Sequence, residues 1–458
     1  MSVRASAATT GVTPPTDVVV LAHGIGGRGD LPVPFSLALV GAVVALLVSF
    51  AILAWAWRTP HLKDQERGVA LPAGVTRVVD ARATRIGLRL LGLAATAYVL
   101  VSAVLGPDLL VNPTFGVVYV LFWVGMPLVS AVLGPIWPLL NPLRTLHLLL
   151  TRALRTRPEE GLLPLPPGLG YWPAALGLFA FVWLELVAPE NTTLPIIRVW
   201  FAVYAVVMLM GALVYGSRFF DRGDPFEVYS QVFGHLSPLA RRPSDGRLVL
   251  RSPLRHLASL RPGPGFVAVV AVLLGSTAFD GFSQSVGWVG FVQGSGLPEV
   301  LLGTAALTGF VLVVAGSFTL ASVLSGGLAG GPGTRELPRR LAASVVPIVL
   351  GYLIAHYFTL LVLEGQNTFI LLSDPLANGA NLLGLSGRAV DPWIADSPPA
   401  VAAIKAGAVV LGHVIGVVAA HDRAVALFPR RTALLGQLPL LVVMVGYTLG
   451  GLTLLFAT

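Results

Sequence analysis

The chain contains no cysteine. Disulfides, iron–sulfur clusters, Cys-ligated zinc and a thiol nucleophile are therefore excluded. Charge is nearly as scarce. Asp, Glu, Lys and Arg make up 11% of the 458 residues, where a soluble domain carries about 25%. The 30 basic and 22 acidic side chains are too few to cover a soluble protein of this size, and mean hydropathy is +0.81. This composition excludes a cytosolic globular enzyme, a nucleic-acid-binding module and a disordered tail. It leaves a polytopic membrane protein. Familiar catalytic motifs are missing too. There is no G-x-S-x-G, H-E-x-x-H or Walker A sequence, so a serine hydrolase elbow, a zincin and an ATPase are unsupported.

What the chain does have is apolar runs. A membrane-crossing helix needs about 20 such residues. Ten runs qualify, at about 35–57, 86–106, 115–133, 172–188, 196–216, 265–283, 299–324, 341–363, 401–420 and 433–456. Backbone in lipid must satisfy its own hydrogen bonds, so each is read as a helix. The fold class is all-α, a polytopic transmembrane helical bundle of about ten spans.

Orientation follows from the basic residues, of which 28 are Arg and two are Lys. Segments 58–85, 134–171, 217–264, 326–340 and 421–432 hold 24 of the 30. These are alternate connections of a ten-span chain, so the positive-inside rule places them in the cytoplasm and both termini outside. The net charge of +8 thus records topology and names no nucleic-acid partner. The Arg, Ala, Gly and Pro bias matches a GC-rich bacterial genome, and the expected location is the cell membrane. The chain divides into an extracytoplasmic arm (1–34), a five-span half (35–216), an Arg-rich cytoplasmic loop (217–264) and a second five-span half (265–458). Two odd-numbered halves would have opposite orientation, as in inverted-repeat transporters.

Several features have plain readings. GIGGRG at 24–29 matches G-x-G-x-x-G, but a Leu-Pro-Val-Pro turn and a span follow it, where a dinucleotide fold needs a helix and a second strand. Segment 136–150, broken by Pro138 and Pro142, reads as interfacial or re-entrant. SAVLGP recurs at 102–107 and 130–135, each followed by Asn-Pro, as a reused helix stop. Residues 223–236 have the spacing of an amphipathic helix at the inner interface, or of a loop helix packed on the bundle. His421, Asp422 and Arg423 read as a helix-end ion cluster. Trp183, Trp200 and Trp288 read as interface anchors.

Ionisable groups inside spans each cost about 2.5–3.5 kcal/mol on insertion scales and need a reason. Six stand out: Glu185, Arg198, Asp280, His356, Lys405 and His413. All but His413 fall within about 10 Å of the expected outer boundary at the helical rise. The plain reading pairs Glu185 with Arg198 across a short turn and lets Lys405 snorkel. The functional reading is a polar site opening outward. In it Asp280 and Glu185 are the candidate catalytic carboxylates, Arg198 and Lys405 bind substrate, and His356 with His413 supply imidazole ligands to a divalent metal. Such a metal would activate a water. The same groups would equally serve a proton or cation relay.

Segments AHGIGGRGDLPVP (22–34), WLELVAPEN (183–191), GDPFEVY (223–229), GSTAFDGFS (275–283), LLSDPLANG (371–379) and GHVIGVVAAHDRA (412–424) resemble those of a family of actinobacterial multi-pass membrane proteins. Some members carry the name fenitrothion hydrolase. The resemblance implies hydrolysis of an organophosphate triester, with a small apolar substrate reaching the site from the bilayer. It carries over no catalytic residue. The alternative expectation is a transporter or accessory membrane protein without hydrolytic activity.

Overall fold

A computed structural model describes residues 27–330, 333 and 335–456. Part of the GIGGRG motif and most of the N-terminal arm lie outside the described residues.

The architecture is an all-α membrane bundle. Its principal helices are α1 (Phe35–Ala56), α2 (Arg82–Leu105), α3 (Gly125–Leu133), α4 (Pro142–Ala153), α5 (Trp172–Leu186), α6 (Leu194–Tyr215), α7 (Pro225–Gly234), α8 (Phe266–Ser283), α9 (Glu299–Ala329), α10 (Val346–Leu371), α11 (Pro398–Leu427) and α12 (Leu438–Leu455). Among the described residues, eight helical segments are long and apolar enough to cross a membrane. A ninth forms if Pro113–Phe122 and α3, bent by 41°, make one span. The remaining expected span is α5, apolar but only 15 residues long, or about 22 Å at the helical rise.

The outer helices are apolar all round, as lipid contact requires. Leu37, Val40, Val44, Leu47 and Ile52 of α1 are exposed, as are Val199, Val203, Val206 and Met210 of α6. By contrast, α8 is 72% buried and forms the axis of the bundle. It packs on α9, α5 and α10. Helices α10 and α11 approach closely through Gly351 and Gly412. A Cβ on Gly351 would stand 2.4 Å from the Ala408 carbonyl oxygen, and one on Gly412 would stand 2.7 Å from that of Pro347. Small residues permit such crossings where no hydrophobic force drives helices together.

The bend before α3 has a local cause. Gly116–Phe122 is π-helical, and Pro127 in the next turn lacks an N–H to continue a regular ladder. Both Asn-Pro pairs cap helices. Asn112 accepts from Thr114 N–H, and Asn141 accepts from the N–H groups of Leu143 and Arg144. The proline fills the first helical turn, where no N–H is needed.

All five Arg-rich connections meet at one end of the bundle. Each contributes to the wall of a single cavity there. A small antiparallel sheet ties two of them together: β1 (Val69–Ala70) pairs with β3 (Leu248–Leu250), which pairs with β2 (Leu239–Arg241). At the same end, Asp422 Oδ1 accepts from Trp57 Nε1 at 2.9 Å and from the His61 N–H at 2.6 Å. His421 bridges Gln437 Oε1 and the Trp57 carbonyl, both at 2.8 Å. The expected ion cluster at 421–423 is therefore a hydrogen-bond clamp between α1 and α11. Arg423 turns away and donates to the Arg340 carbonyl.

Helix α7 is not an interfacial helix. Nine of its ten residues are buried, Gln231 excepted, and it packs against α3 and α5 inside the bundle. Its apolar positions fit an amphipathic pattern, but its polar face is also enclosed, by a network described below.

Candidate functional site

Asp280 sits one turn from the end of α8, on the most enclosed helix of the bundle. Its Oδ2 lies 2.9 Å from His356 Nε2 and accepts the Tyr357 hydroxyl at 2.7 Å, both from α10. Gln284, one turn on, donates to Oδ1 at 3.4 Å. An ionised carboxylate only accepts, so His356 carries its proton on Nε2 in this pair. The ring of His356 stacks near Tyr352 and meets Tyr357 edge-on. Gly281 borders the same space, where a Cβ would make ordinary van der Waals contact with the Tyr352 hydroxyl at 3.5 Å and His356 Cε1 at 3.6 Å.

Glu185, from α5, comes within electrostatic reach of Asp280. Its buried Oε2 has no hydrogen-bond partner among the described residues. Tyr229 of α7 lies close to both Glu185 and Tyr357. Its hydroxyl donates to the Trp123 carbonyl at 3.0 Å, where the rings stack at 4.5 Å. The site is therefore built from α5, α7, α8 and α10.

The other sequence candidates are elsewhere. Arg198 does not pair with Glu185; its Nε donates to the Ala103 carbonyl at 2.6 Å and staples α6 to α2. Lys405 does not snorkel. It is 6% exposed and lies within reach of Asp30. His413 is buried, and its Nδ1 donates to the Val409 carbonyl one turn back, leaving Nε2 without a partner. Trp183 is an internal tie whose Nε1 donates to Thr304 of α9 at 2.8 Å.

Helix α10 runs on to Leu371, so the His356 imidazole lies 15 residues from that end, about 22 Å. Beyond the expected end of this span the helix continues through the polar residues Glu364, Gln366 and Asn367. The Asn367 amide donates to Glu364, which lowers the cost of holding the polar turn in a helix.

Among the described residues, no three His, Asp or Glu side chains converge where they could hold a metal ion. Asp280 and His356 do meet, but they are hydrogen-bonded to each other. The Nε2 of His413 has no hydrogen-bond partner among the described residues and belongs to no such group of three. The residues present thus do not fit a divalent metal.

A second polar network fills the Arg-rich end, and sequence reading missed it. Asp224 caps α7 by accepting from Phe226 and Glu227 N–H. It also accepts Asn141 Nδ2 at 2.8 Å and the Tyr204 hydroxyl at 2.9 Å. Arg144 bridges Glu227 at 2.8 Å and the exposed Asp221 at 2.6 Å. Burial pushes both Asp224 and Glu227 above the ordinary carboxylate range, against the pull of Arg144 on Glu227. The usable signal was the repeated Asx-Pro at 141–142 and 224–225, which places two capped helix starts against each other. Tyr357 was legible only as the neighbour of His356, and Gln284 as the residue four past Asp280.

No protein-family model matches the chain, and neither a curated protein nor a solved structure matches it.

Proposed function

We propose that this protein is a proton-coupled membrane transporter in which Asp280 and His356 carry the proton. The carrying observation is the 2.9 Å contact between these two side chains inside the bundle, with a second buried carboxyl, Glu185, beside them. Intramembrane carboxylate–imidazole sets of this kind are the usual elements of proton relays. Protonation converts the pair to imidazolium and carboxylate, which the hydroxyl of Tyr357 stabilises by donating to Asp280. Release returns neutral imidazole. With the positive-inside rule, the Arg-rich end faces the cytoplasm of a bacterial cell membrane.

The purified chain in liposomes with a trapped pH-sensitive dye tests this. An imposed membrane potential should drive proton flux, and Asp280→Asn or His356→Gln should lower it at least tenfold. Equal flux in wild type and both variants would overturn the reading.

A second reading rests on the fenitrothion hydrolase resemblance. In it the Asp280-oriented His356 acts as the general base that takes a proton from water attacking phosphorus. It is favoured by the carboxylate–imidazole geometry, which fixes the ring as hydrolytic dyads require. Release of phenol from an aryl phosphotriester by the wild type, and not by His356→Gln, would select this reading.

A further inference from the structure

The cavity at the Arg-rich end has a volume of about 1250 Å³. Small-molecule pockets usually span about 300–1,000 Å³. Its wall combines two chemistries. Apolar lining residues include Leu88, Leu139, Leu257 and Leu341. Basic ones are Lys63, Arg241, Arg251, Arg261, Arg340 and Arg423. Asp422 is the one acidic side chain among the lining residues.

The protein neutralises only part of this charge. Asp80 pairs with Arg241 and Glu336 with Arg340, each at 2.6 Å. Asp422 Oδ1 is already occupied by Trp57, His61 and Leu62 N–H groups. Among the described residues, no carboxylate stands at ion-pair distance from Lys63, Arg251, Arg261 or Arg423. Arg251 is the decisive case. It is 7% exposed, and its terminal nitrogens donate to two neutral oxygens, Gln65 Oε1 at 2.6 Å and the Arg241 carbonyl at 2.9 Å. Its buried Nε has no partner. Glu66 and Asp64 act on Arg251 only through space; a buried guanidinium with no carboxylate at ion-pair distance is costly, and an anion in the cavity would relieve that cost.

We infer that this cavity binds an anionic phospholipid, its phosphate held by Arg251, Arg423, Arg261 and Lys63 and an acyl chain laid on the apolar lining residues. The volume exceeds what a phosphate alone needs. Two apolar lining residues, Val79 and Leu139, are exposed, which gives an acyl chain a way out of the cavity. Basic pockets between membrane helices suit anionic headgroups for this reason. The inference is independent of the proton-carrying reading, because none of these residues belongs to the Asp280 site.

The test uses the full chain purified in detergent. Phosphatidylglycerol and phosphatidylcholine are titrated in parallel, with bound lipid counted by native mass spectrometry. Inorganic phosphate and glycerol phosphate serve as soluble competitors. Phosphatidylglycerol should bind at least tenfold more tightly than phosphatidylcholine, and Arg251→Gln and Arg423→Gln should each reduce that preference several-fold. Millimolar phosphate should not displace the lipid. Lys63→Gln with Arg261→Gln, both at exposed positions, gives a second reading should Arg251→Gln fail to fold; the pair should weaken the preference about threefold, by the phosphate-contact logic of. Equal binding of both lipids would overturn the proposal. So would a preference untouched by the substitutions, or full competition by either soluble phosphate, which would make this a soluble-anion site.

Discussion

His356 of α10 lies 2.9 Å from Asp280 of α8, although 76 residues separate them in the chain. Each is an ionisable group that a membrane helix would carry only at a cost. Together, and with the Tyr357 hydroxyl on the same oxygen, they satisfy one another. Glu185 has no such partner for its Oε2, and that contrast leads to the first prediction.

Glu185→Gln keeps the shape of the side chain and removes its ionisable carboxyl beside Asp280. Thermal unfolding in detergent should give a Tm equal to or above that of the wild type, because an unpaired buried acid is a liability to the fold. Proton flux in liposomes should fall. A clear drop in Tm with flux unchanged would show Glu185 to be structural.

Gly412→Ala pushes a methyl group to within 2.7 Å of the Pro347 carbonyl oxygen. Helices α10 and α11 must then separate, at a cost of about 1–3 kcal/mol from overpacking. Gly351→Ala acts on the same crossing. The double variant should lose less than the two single losses combined, since the first displacement already makes room for the second. Unfolding midpoints of the three variants test this.

Asp422→Ala leaves Trp57 Nε1 and the His61 and Leu62 N–H groups without their shared acceptor. Hydrogen bonds to a charged group contribute about 1.5–3 kcal/mol each, so a loss of at least about 3 kcal/mol is expected even though the three share one oxygen. Limited proteolysis should cut first after α1, in the 57–66 segment. Protection equal to the wild type would show that the clamp contributes nothing.

Burial holds His256 near a pKa of about 4, below its ordinary 6.5, assisted by the neighbouring His235 and Arg251 and opposed by its bond to the Ser237 carbonyl. The unfolded chain therefore binds more protons than the folded one between these values. Stability from this group is fully present above pH 6.5 and is lost as pH falls through about 4. His256→Gln should flatten the dependence of Tm on pH across that window. An unchanged slope would place the acid sensitivity elsewhere.

Much of the layout was legible in the sequence because hydropathy and loop charge are properties of contiguous segments. The ten runs coincide with α1, α2, the bent pair, α5, α6, α8, α9, α10, α11 and α12. The five Arg-rich connections do gather at one end. Asp280 and His356 were legible as unexplained charges. That Arg198 binds α2 carbonyls, that Lys405 faces Asp30, and that His413 bonds its own helix were not. An apolar helix has no amphipathic face to fix its rotation, so its neighbours decide which way each polar residue points. The same holds for α7, whose polar face meets Asn141 and Arg144 in the interior.

The sequence by itself determined that this is a multi-pass helical membrane protein, where its spans lie, and which connections share an end. Lipid exposure and loop charge act on each segment alone, so those features need no partner. Only the tertiary structure decided which intramembrane charges meet, that α7 is enclosed, and that the surplus Arg residues surround one cavity. Those outcomes depend on close packing between helices distant in sequence, through contacts such as Gly351 on Gly412 that no single segment encodes.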